Sequence, residues 1–176
     1  MNAIFLDSNI FLRYFVPDNE EKYGHCVSLF KLIDLGTLRP YTSPLVLLEC
    51  YFVLTRQYKF PNDRVARALV EIEAVRNMTM VNTIDTHQAL KLWQKTGVKL
   101  ADCLITTQVG KGIVLCTYDT EFKKFSFLRT AEPRDILKRN HKSSSLLHMA
   151  KIGGKELFTF DRKLKRLANV RVKSRT

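Results

Sequence analysis

The sequence has no apolar run of the ~18 residues that a membrane-spanning helix needs, and Asp7 interrupts the apolar stretch near its start. We therefore expect neither a membrane span nor a signal peptide, and a cytoplasmic location. The glycine-rich patterns of dinucleotide-binding folds and P-loops are absent, as is the GxSxG pattern of esterases. These absences leave nucleotide-cofactor enzymes and esterases without support.

Closely spaced cysteines and histidines are also missing. The four cysteines, Cys26, Cys50, Cys103 and Cys116, form no pair with metal-ligand spacing, and the four histidines are scattered. A chain of 176 residues can build an adequate core without disulfides. We expect four reduced thiols packed as small hydrophobic groups, and neither a zinc site nor a disulfide framework.

Acidic residues are fewer than basic ones: the chain has 17 Asp and Glu and 29 Lys and Arg, which gives a net charge of +12. Such an excess suggests a polyanionic partner, first of all nucleic acid, although a basic surface can also serve solubility alone. Residues 131–176 hold 13 of the basic and only four of the acidic side chains. The polar stretch Arg139–Ser145 reads as a linker. We therefore predict a main domain at 1–139 and a basic extension at 140–176.

Apolar strands alternate with helices along the main domain. Strands are expected at 2–6, 41–43, 78–82 and 113–118, and helices at 20–35, 44–58, 63–76, 86–96, 100–109 and 133–138. Strands that are apolar throughout, rather than at every second position, indicate a parallel sheet covered on both faces. The predicted fold class is α/β, a three-layer α/β/α sandwich.

Four acids stand out from this pattern. Asp7 and Asp119 follow predicted strands, and Glu49 and Asp102 are the sole charges within the predicted helical stretches 45–55 and 100–109, respectively. Ligands bind at the carboxyl ends of strands in open α/β sheets, although either aspartate could simply cap the next helix. The helix around Glu49 is apolar on nearly every face, so we expect it to be buried. A buried carboxylate must be protonated, paired or bound to a metal.

Together these acids indicate a site for a divalent cation. Clustered carboxylates raise each other's pKa unless a cation neutralises them, and Mg²⁺ prefers oxygen ligands. A carboxylate cluster in a basic protein suits metal-dependent cleavage of phosphodiester bonds. We therefore expect all four carboxylates to converge on one pocket. We also expect Asp7→Asn to abolish activity while stability holds or rises, because the change relieves repulsion.

The segments that carry these acids resemble a known family. LDSNIFLRYFVPDNEE is similar to the opening of PIN-domain ribonucleases, especially the VapC-like toxins of toxin–antitoxin pairs, and SPLVLLECYFVL, LADCLITT and LCTYDTEFKKF resemble its later motifs in order. The resemblance covers residues 1–139. It implies a PIN-like fold, an endoribonuclease that uses Mg²⁺ or Mn²⁺, an RNA substrate, a cognate antitoxin and a homodimer.

The resemblance also implies roles for individual residues. The metal-binding and catalytic acids would be Asp7, Glu49, Asp102 and Asp119. Ser8 and Asn9 would orient Asp7 and a bound water, although turn chemistry alone could explain them. Glu121 would be an accessory acid, with a solvated loop residue as the alternative. The accessory positions are Ser8, Asn9 and Glu121.

The basic extension departs from the family pattern. ELFTFDRKLKRLANVRV resembles VLCTYDTEFKKFSFLRT, with Asp161 in the place of Asp119. This suggests a partial repeat of the family's closing segment, with a basic amphipathic tail as the alternative. Because a counterpart of Asp102 is missing, we expect no second active site. The cluster Arg162, Lys163, Lys165 and Arg166 is a candidate RNA contact.

Two other functions remain open on the sequence. The chain could be a catalytically weak PIN-fold module that binds RNA or another partner. It could also be a phosphoacceptor or phosphatase with Asp7 as the nucleophile, but Asn9 stands where a phosphatase of this kind would carry a second acid. The sequence does not specify which RNA is bound.

Overall fold

The computed structural model describes residues 2–142, and its centre is a five-stranded parallel sheet. The strands lie in the order β3-β2-β1-β4-β5, which places β1 in the middle. They are β1 (Asn2–Leu6), β2 (Leu38–Thr42), β3 (Thr79–Met80), β4 (Val114–Cys116) and β5 (Thr130–Ala131). Ile4 pairs with Pro40 of β2 on one side and with Val114 of β4 on the other.

Seven α-helices connect and cover these strands within the described part of the chain. They are α1 (Ser8–Phe15), α2 (Glu20–Asp34), α3 (Pro44–Phe52), α4 (Asn62–Glu73), α5 (Thr86–Thr96), α6 (Leu100–Gln108) and α7 (Pro133–Lys142). A π-helical turn, Val53–Gln57, continues α3, and a 3₁₀ turn, Glu121–Lys124, follows β4. The three-layer α/β/α class predicted from the sequence is confirmed.

Local sequence signals account for most of the helix ends. Ser43 caps α3, with its hydroxyl accepting a hydrogen bond from the Val46 N–H and Pro44 in the first turn, as the sequence predicts. Asn19 caps α2 in the same way through the Lys22 N–H. Gly97 ends α5 in the left-handed conformation, with a φ of 66°, which glycine adopts without steric cost.

The structure also corrects the sequence assignment. Helix α1 was not predicted, because it starts one residue after β1 with no intervening loop. Strand β5 was missed and β3 is shorter than predicted, and each has only two residues. Strand β2 starts at Leu38, three residues before the predicted start, because Arg39 and Pro40 concealed it.

The largest correction concerns α3, which was expected to be buried all round. Only Val46 and Cys50 of this helix are buried, whereas Leu48, Tyr51 and Phe52 are 49%, 39% and 42% exposed. These three residues, called here the α3 face, lie at helical spacing on one side of the helix. The helix is as apolar as the sequence indicates, but within residues 2–142 the core covers only the side that carries Val46 and Cys50.

Candidate active site

Asp7 and Asp119 lie at the same edge of the sheet because they follow neighbouring parallel strands. Asp7 comes directly after β1, and Asp119 lies three residues after β4. The two carboxylates are close enough for the charge of Asp119 to raise the pKa of Asp7. The carboxyl edge of the sheet is where α/β folds place their ligands.

Hydrogen-bond donors surround the carboxylate of Asp7, which is 3% exposed. Its Oδ1 accepts from the Ser8 N–H at 2.7 Å and thereby caps α1. Its Oδ2 accepts from Asn9 Nδ2 and from Thr117 Oγ1, each at 2.6 Å. Burial nevertheless raises the pKa of Asp7, although these hydrogen bonds oppose the shift. The carboxylate is therefore fixed in orientation and still disfavoured as a bare charge.

Asp119 is partly exposed and also shapes the chain around it. Its Oδ1 accepts from the Glu121 N–H at 2.8 Å, at the start of the 3₁₀ turn, and its own N–H donates to Thr117 Oγ1 at 2.9 Å. Asp7 thus performs the capping role that the sequence left open, whereas the N-cap of the 3₁₀ turn is Thr120 and Asp119 binds only its first N–H. These hydrogen bonds do not remove either carboxylate from the edge of the sheet.

Glu49 projects from the middle of α3 and is half-buried. Burial, together with the negative charges of Asp7 and Asp102, raises its pKa to about 7. A hydrogen bond from the Ser8 side chain and the positive charge of Lys99 oppose that shift. Glu49 therefore belongs to the same electrostatic cluster as the two aspartates.

Asp102 lies in the first turn of α6 and is 7% exposed. Burial, together with the negative charges of Asp119 and Asp7, raises its pKa to about 6. Its Oδ2 is buried and has no hydrogen-bond partner within residues 2–142. An unpaired buried carboxylate oxygen is unfavourable in a folded protein unless something else neutralises it.

The electrostatic couplings thus link all four acids, Asp7 to Glu49, Asp102 and Asp119, and Asp102 to Glu49 and Asp119. Among the described residues, however, no three His, Cys, Asp or Glu side chains are already arranged around one ion position. Carboxylates and water oxygens are the ligands that Mg²⁺ prefers, and one or two direct carboxylates suffice for it. The donor set therefore fits a hard divalent cation held partly through water.

The three accessory positions behave differently from one another. Asn9 contacts Asp7, Thr117 and the Tyr118 N–H. Ser8 donates its backbone N–H to Asp7, and its hydroxyl lies 3.5 Å from the same carboxylate oxygen. Glu121 adds negative charge near Asp102, but it is also paired with Lys124 at 2.7 Å.

Sequence reasoning missed two residues of this region, Thr117 and Lys99. The Thr117 hydroxyl contacts Asp7 and Asn9 and accepts from the Asp119 N–H. The only sequence signal for Thr117 is its position two residues before Asp119, and an uncharged threonine at that position does not by itself indicate a site. Lys99, just before α6, supplies positive charge near both Glu49 and Asp102.

A cleft of ≈ 70 Å³ lies on the β5 side of Asp119. Its lining includes Thr117, Asp119, Lys123, Glu132 and Asp135. The candidate RNA contacts Arg162, Lys163, Lys165 and Arg166, and the proposed repeat with Asp161, lie outside the described residues.

Comparison with known families and structures gives a consistent result. The family model of the PIN domain matches residues 4–128. This range contains all four acids and every strand except β5 and the first two residues of β1. No curated protein sequence matches the chain.

Three solved structures have a similar fold. A chain of the DNA-bound VapBC complex from Salmonella typhimurium is 19% identical, with a TM-score of 0.58 over 76% of this chain and 99% of that one. A chain of VapBC2 from Rickettsia felis, bound to a promoter DNA fragment, is 18% identical, with a TM-score of 0.52 over 74% of this chain and 98% of that one. VapC20 of Mycobacterium tuberculosis, a toxin that cleaves the sarcin–ricin loop, is 22% identical, with a TM-score of 0.53 over 71% of this chain and 96% of that one.

The similarity spans nearly the whole of each solved chain, and at these identities it concerns the fold. None of the helices among residues 2–142 is both long and apolar enough to cross a membrane.

Proposed function

Because the chain belongs to the PIN-domain family, we propose that it is an endoribonuclease that uses Mg²⁺ or Mn²⁺ to hydrolyse phosphodiester bonds in RNA. The observation that carries this proposal is the coupling of four carboxylates, one of which holds a buried oxygen with no partner among residues 2–142. Such a cluster is unfavourable by itself and becomes favourable around a divalent cation.

The residues at the site would divide the work. Asp7 would ligate the cation with an orientation fixed by Asn9 and the Ser8 N–H. Asp102 would offer its unpartnered Oδ2, and Glu49 and Asp119 would hold waters of the cation or ligate it directly. Glu121 would add negative charge at the rim. A cation bound there would lower the pKa of a water and stabilise the leaving oxygen.

The solved structures with this fold support a role as the toxin of a toxin–antitoxin pair. Two of them are VapBC complexes and the third is an RNA-cleaving toxin. We therefore assign a cognate antitoxin as the protein partner, RNA as the substrate and the cytoplasm as the place of action. The net charge of +12 suits both RNA and an acidic inhibitor segment.

The α3 face supports a homodimer. Leu48, Tyr51 and Phe52 are exposed together on one helix, and clustered exposed apolar residues mark interaction surfaces more often than isolated ones do. The rings of Tyr51 and Phe52 are 5.4 Å apart, so they present one continuous surface. In a homodimer, two copies of this face would cover each other.

The test is cleavage-site mapping on total RNA after expression of the wild type and of Asp7→Asn. Wild-type cleavage should need Mg²⁺ or Mn²⁺ and stop in chelator, and Asp7→Asn should lower it by more than about 100-fold, since even outer-shell partners of metal ligands are worth 10–100-fold. The matched control is Glu73→Gln, which removes an exposed acid on α4.

Two outcomes would contradict the proposal. Cleavage that continues unchanged in chelator would exclude the metal-dependent mechanism. RNA binding without cleavage under every metal condition would favour the alternative, a catalytically weak module that keeps the PIN fold.

A further inference from the structure

The hydroxyl of Thr117 joins the two aspartates at the edge of the sheet. Thr117 follows β4 directly and is 3% exposed. Its Oγ1 lies 2.6 Å from Asp7 Oδ2, 2.9 Å from Asn9 Nδ2 and 2.9 Å from the Asp119 backbone nitrogen. One atom therefore contacts both strand ends that carry a carboxylate.

The direction of each of these hydrogen bonds is determined. A hydroxyl has one proton to donate and two lone pairs with which to accept. The Asp119 N–H can only donate. The Asn9 amide is oriented by the Tyr118 N–H, which donates to Asn9 Oδ1 at 3.1 Å, so Asn9 Nδ2 is the donor towards Thr117. The hydroxyl proton therefore goes to Asp7 Oδ2.

This count leaves the Thr117 hydroxyl with no free proton and no free lone pair. It can neither ligate a cation nor hold a substrate water without breaking a bond that it makes already. Its effect must pass through its partners. It holds Asp7 Oδ2 together with Asn9, and it fixes the backbone of Asp119 relative to Asp7.

We propose that Thr117 is a positioning residue for the divalent cation: its hydroxyl sets the orientation of the Asp7 carboxylate and its spacing from Asp119. This inference rests on the proposed metal-dependent function and names a residue that the acids alone do not reveal. A purely structural link between β4 and β1 is the competing role.

The test compares Mn²⁺ binding, measured by calorimetry, for four versions of the full chain. They are the wild type, Thr117→Val, Thr117→Ser and Thr42→Val. Thr42 is the matched control: it is 0% exposed, lies at the end of β2, and donates to the backbone oxygen of Leu6 at 3.1 Å rather than to a carboxylate.

Thr117→Val should weaken Mn²⁺ binding by about 10–100-fold, the effect typical of a lost partner of a metal ligand. Thr117→Ser, which keeps the hydroxyl, should bind Mn²⁺ nearly as the wild type does. Thr42→Val should lower the melting temperature and leave Mn²⁺ affinity unchanged. RNA cleavage at subsaturating Mn²⁺ should follow the same order.

Equal Mn²⁺ affinity of Thr117→Val and the wild type would overturn the inference, and so would equal losses in Thr117→Val and Thr42→Val. A wild type that binds no Mn²⁺ would also overturn it. A wild type that binds Mn²⁺ and cleaves no RNA would refute the proposed function alone, because the binding comparison would still decide the role of Thr117.

Discussion

The two halves of the acidic site are built in opposite ways. On the β1–β4 side, the oxygens of Asp7 accept three hydrogen bonds of 2.6–2.7 Å. On the helical side, Asp102 keeps a buried oxygen without a partner within residues 2–142, and the pKa of Glu49 is raised to about 7. The carboxylate of the first half is already held in one orientation. The ionised carboxylates of the second half are unfavourable unless the proposed cation binds.

This difference suggests that one half of the site positions the proposed cation and the other half supplies most of its binding energy. A carboxylate held by donors has a defined direction, but part of its charge is already neutralised by hydrogen bonds. A carboxylate near other acids and few donors has more to gain from a cation. We infer that Asp7 determines where the cation sits, and that Glu49 and Asp102 supply more of the gain in stability on binding.

The largest expected difference is between Asp7→Asn and Glu49→Gln. Both should lower cleavage by more than about 100-fold. Without metal at pH 8, Asp7→Asn should be less stable than Glu49→Gln, because its amide nitrogen would face the donors that now hold the carboxylate, which offsets the relief from removing a buried charge. Glu49→Gln should gain about 1–2 kcal/mol, after allowance for solvent around this half-buried group.

Denaturant unfolding of both variants in chelator measures this contrast. From the sequence, the stability of Asp7→Asn is expected to hold or rise; the donors on both oxygens, which the sequence did not show, predict a smaller rise than that of Glu49→Gln. Equal shifts of the same sign in the two variants would break the distinction between the halves.

Burial raises the pKa of Asp7 as well as those of the helical half, so both halves should make stability depend on pH. The pKa of Glu49 is raised from 4.5 to about 7 and that of Asp102 from 3.8 to about 6. The folded chain therefore binds more protons than the unfolded chain between about pH 4 and 7, so its stability falls as the pH rises through that window. The fall should be about 2 kcal/mol in chelator, after the same allowance for solvent.

Glu49→Gln should flatten this slope, above all between pH 5 and 7, and saturating Mn²⁺ should do the same in the wild type. Unfolding midpoints collected across the pH range measure both effects. A wild-type stability that rises through this window would contradict the raised pKa values of the helical half.

The smallest effect concerns the extension, which should leave the contrast between the halves intact. Helix α7 runs to Lys142, so truncation after Lys142 is cleaner than truncation after Arg139. If residues 143–176 bind RNA, the truncated chain should keep its metal-dependent cleavage and bind RNA more weakly. The log–log salt dependence of binding should become shallower by about one unit per lost phosphate contact.

Filter binding at several salt concentrations tests this prediction, with the wild type as reference. Unchanged affinity and slope would remove RNA as the target of Arg162 and its basic neighbours, and would favour the antitoxin. Unfolding of the truncated chain would instead make the extension part of the folded domain.

The sequence was sufficient for the fold class, and it singled out four acids that are electrostatically coupled in the structure, because both leave local marks. Strands of uniform apolarity predicted the parallel sheet, and a single charge on an apolar helix drew attention to Glu49 and Asp102. Thr117 left no such mark, since its role exists only when β1 and β4 lie side by side. The α3 face was misjudged because apolar periodicity does not say whether the chain's own core or another molecule covers a helix.

The four cysteines offer a reporter of motion in this molecule. All are buried and reduced, and burial raises the pKa of each thiol, so they will react slowly until the chain around them opens. Cys50 follows Glu49, Cys103 follows Asp102, and Cys116 precedes Thr117. The rates of alkylation at these three thiols therefore report local opening of the folded chain beside each half of the site, and no cysteine has to be introduced.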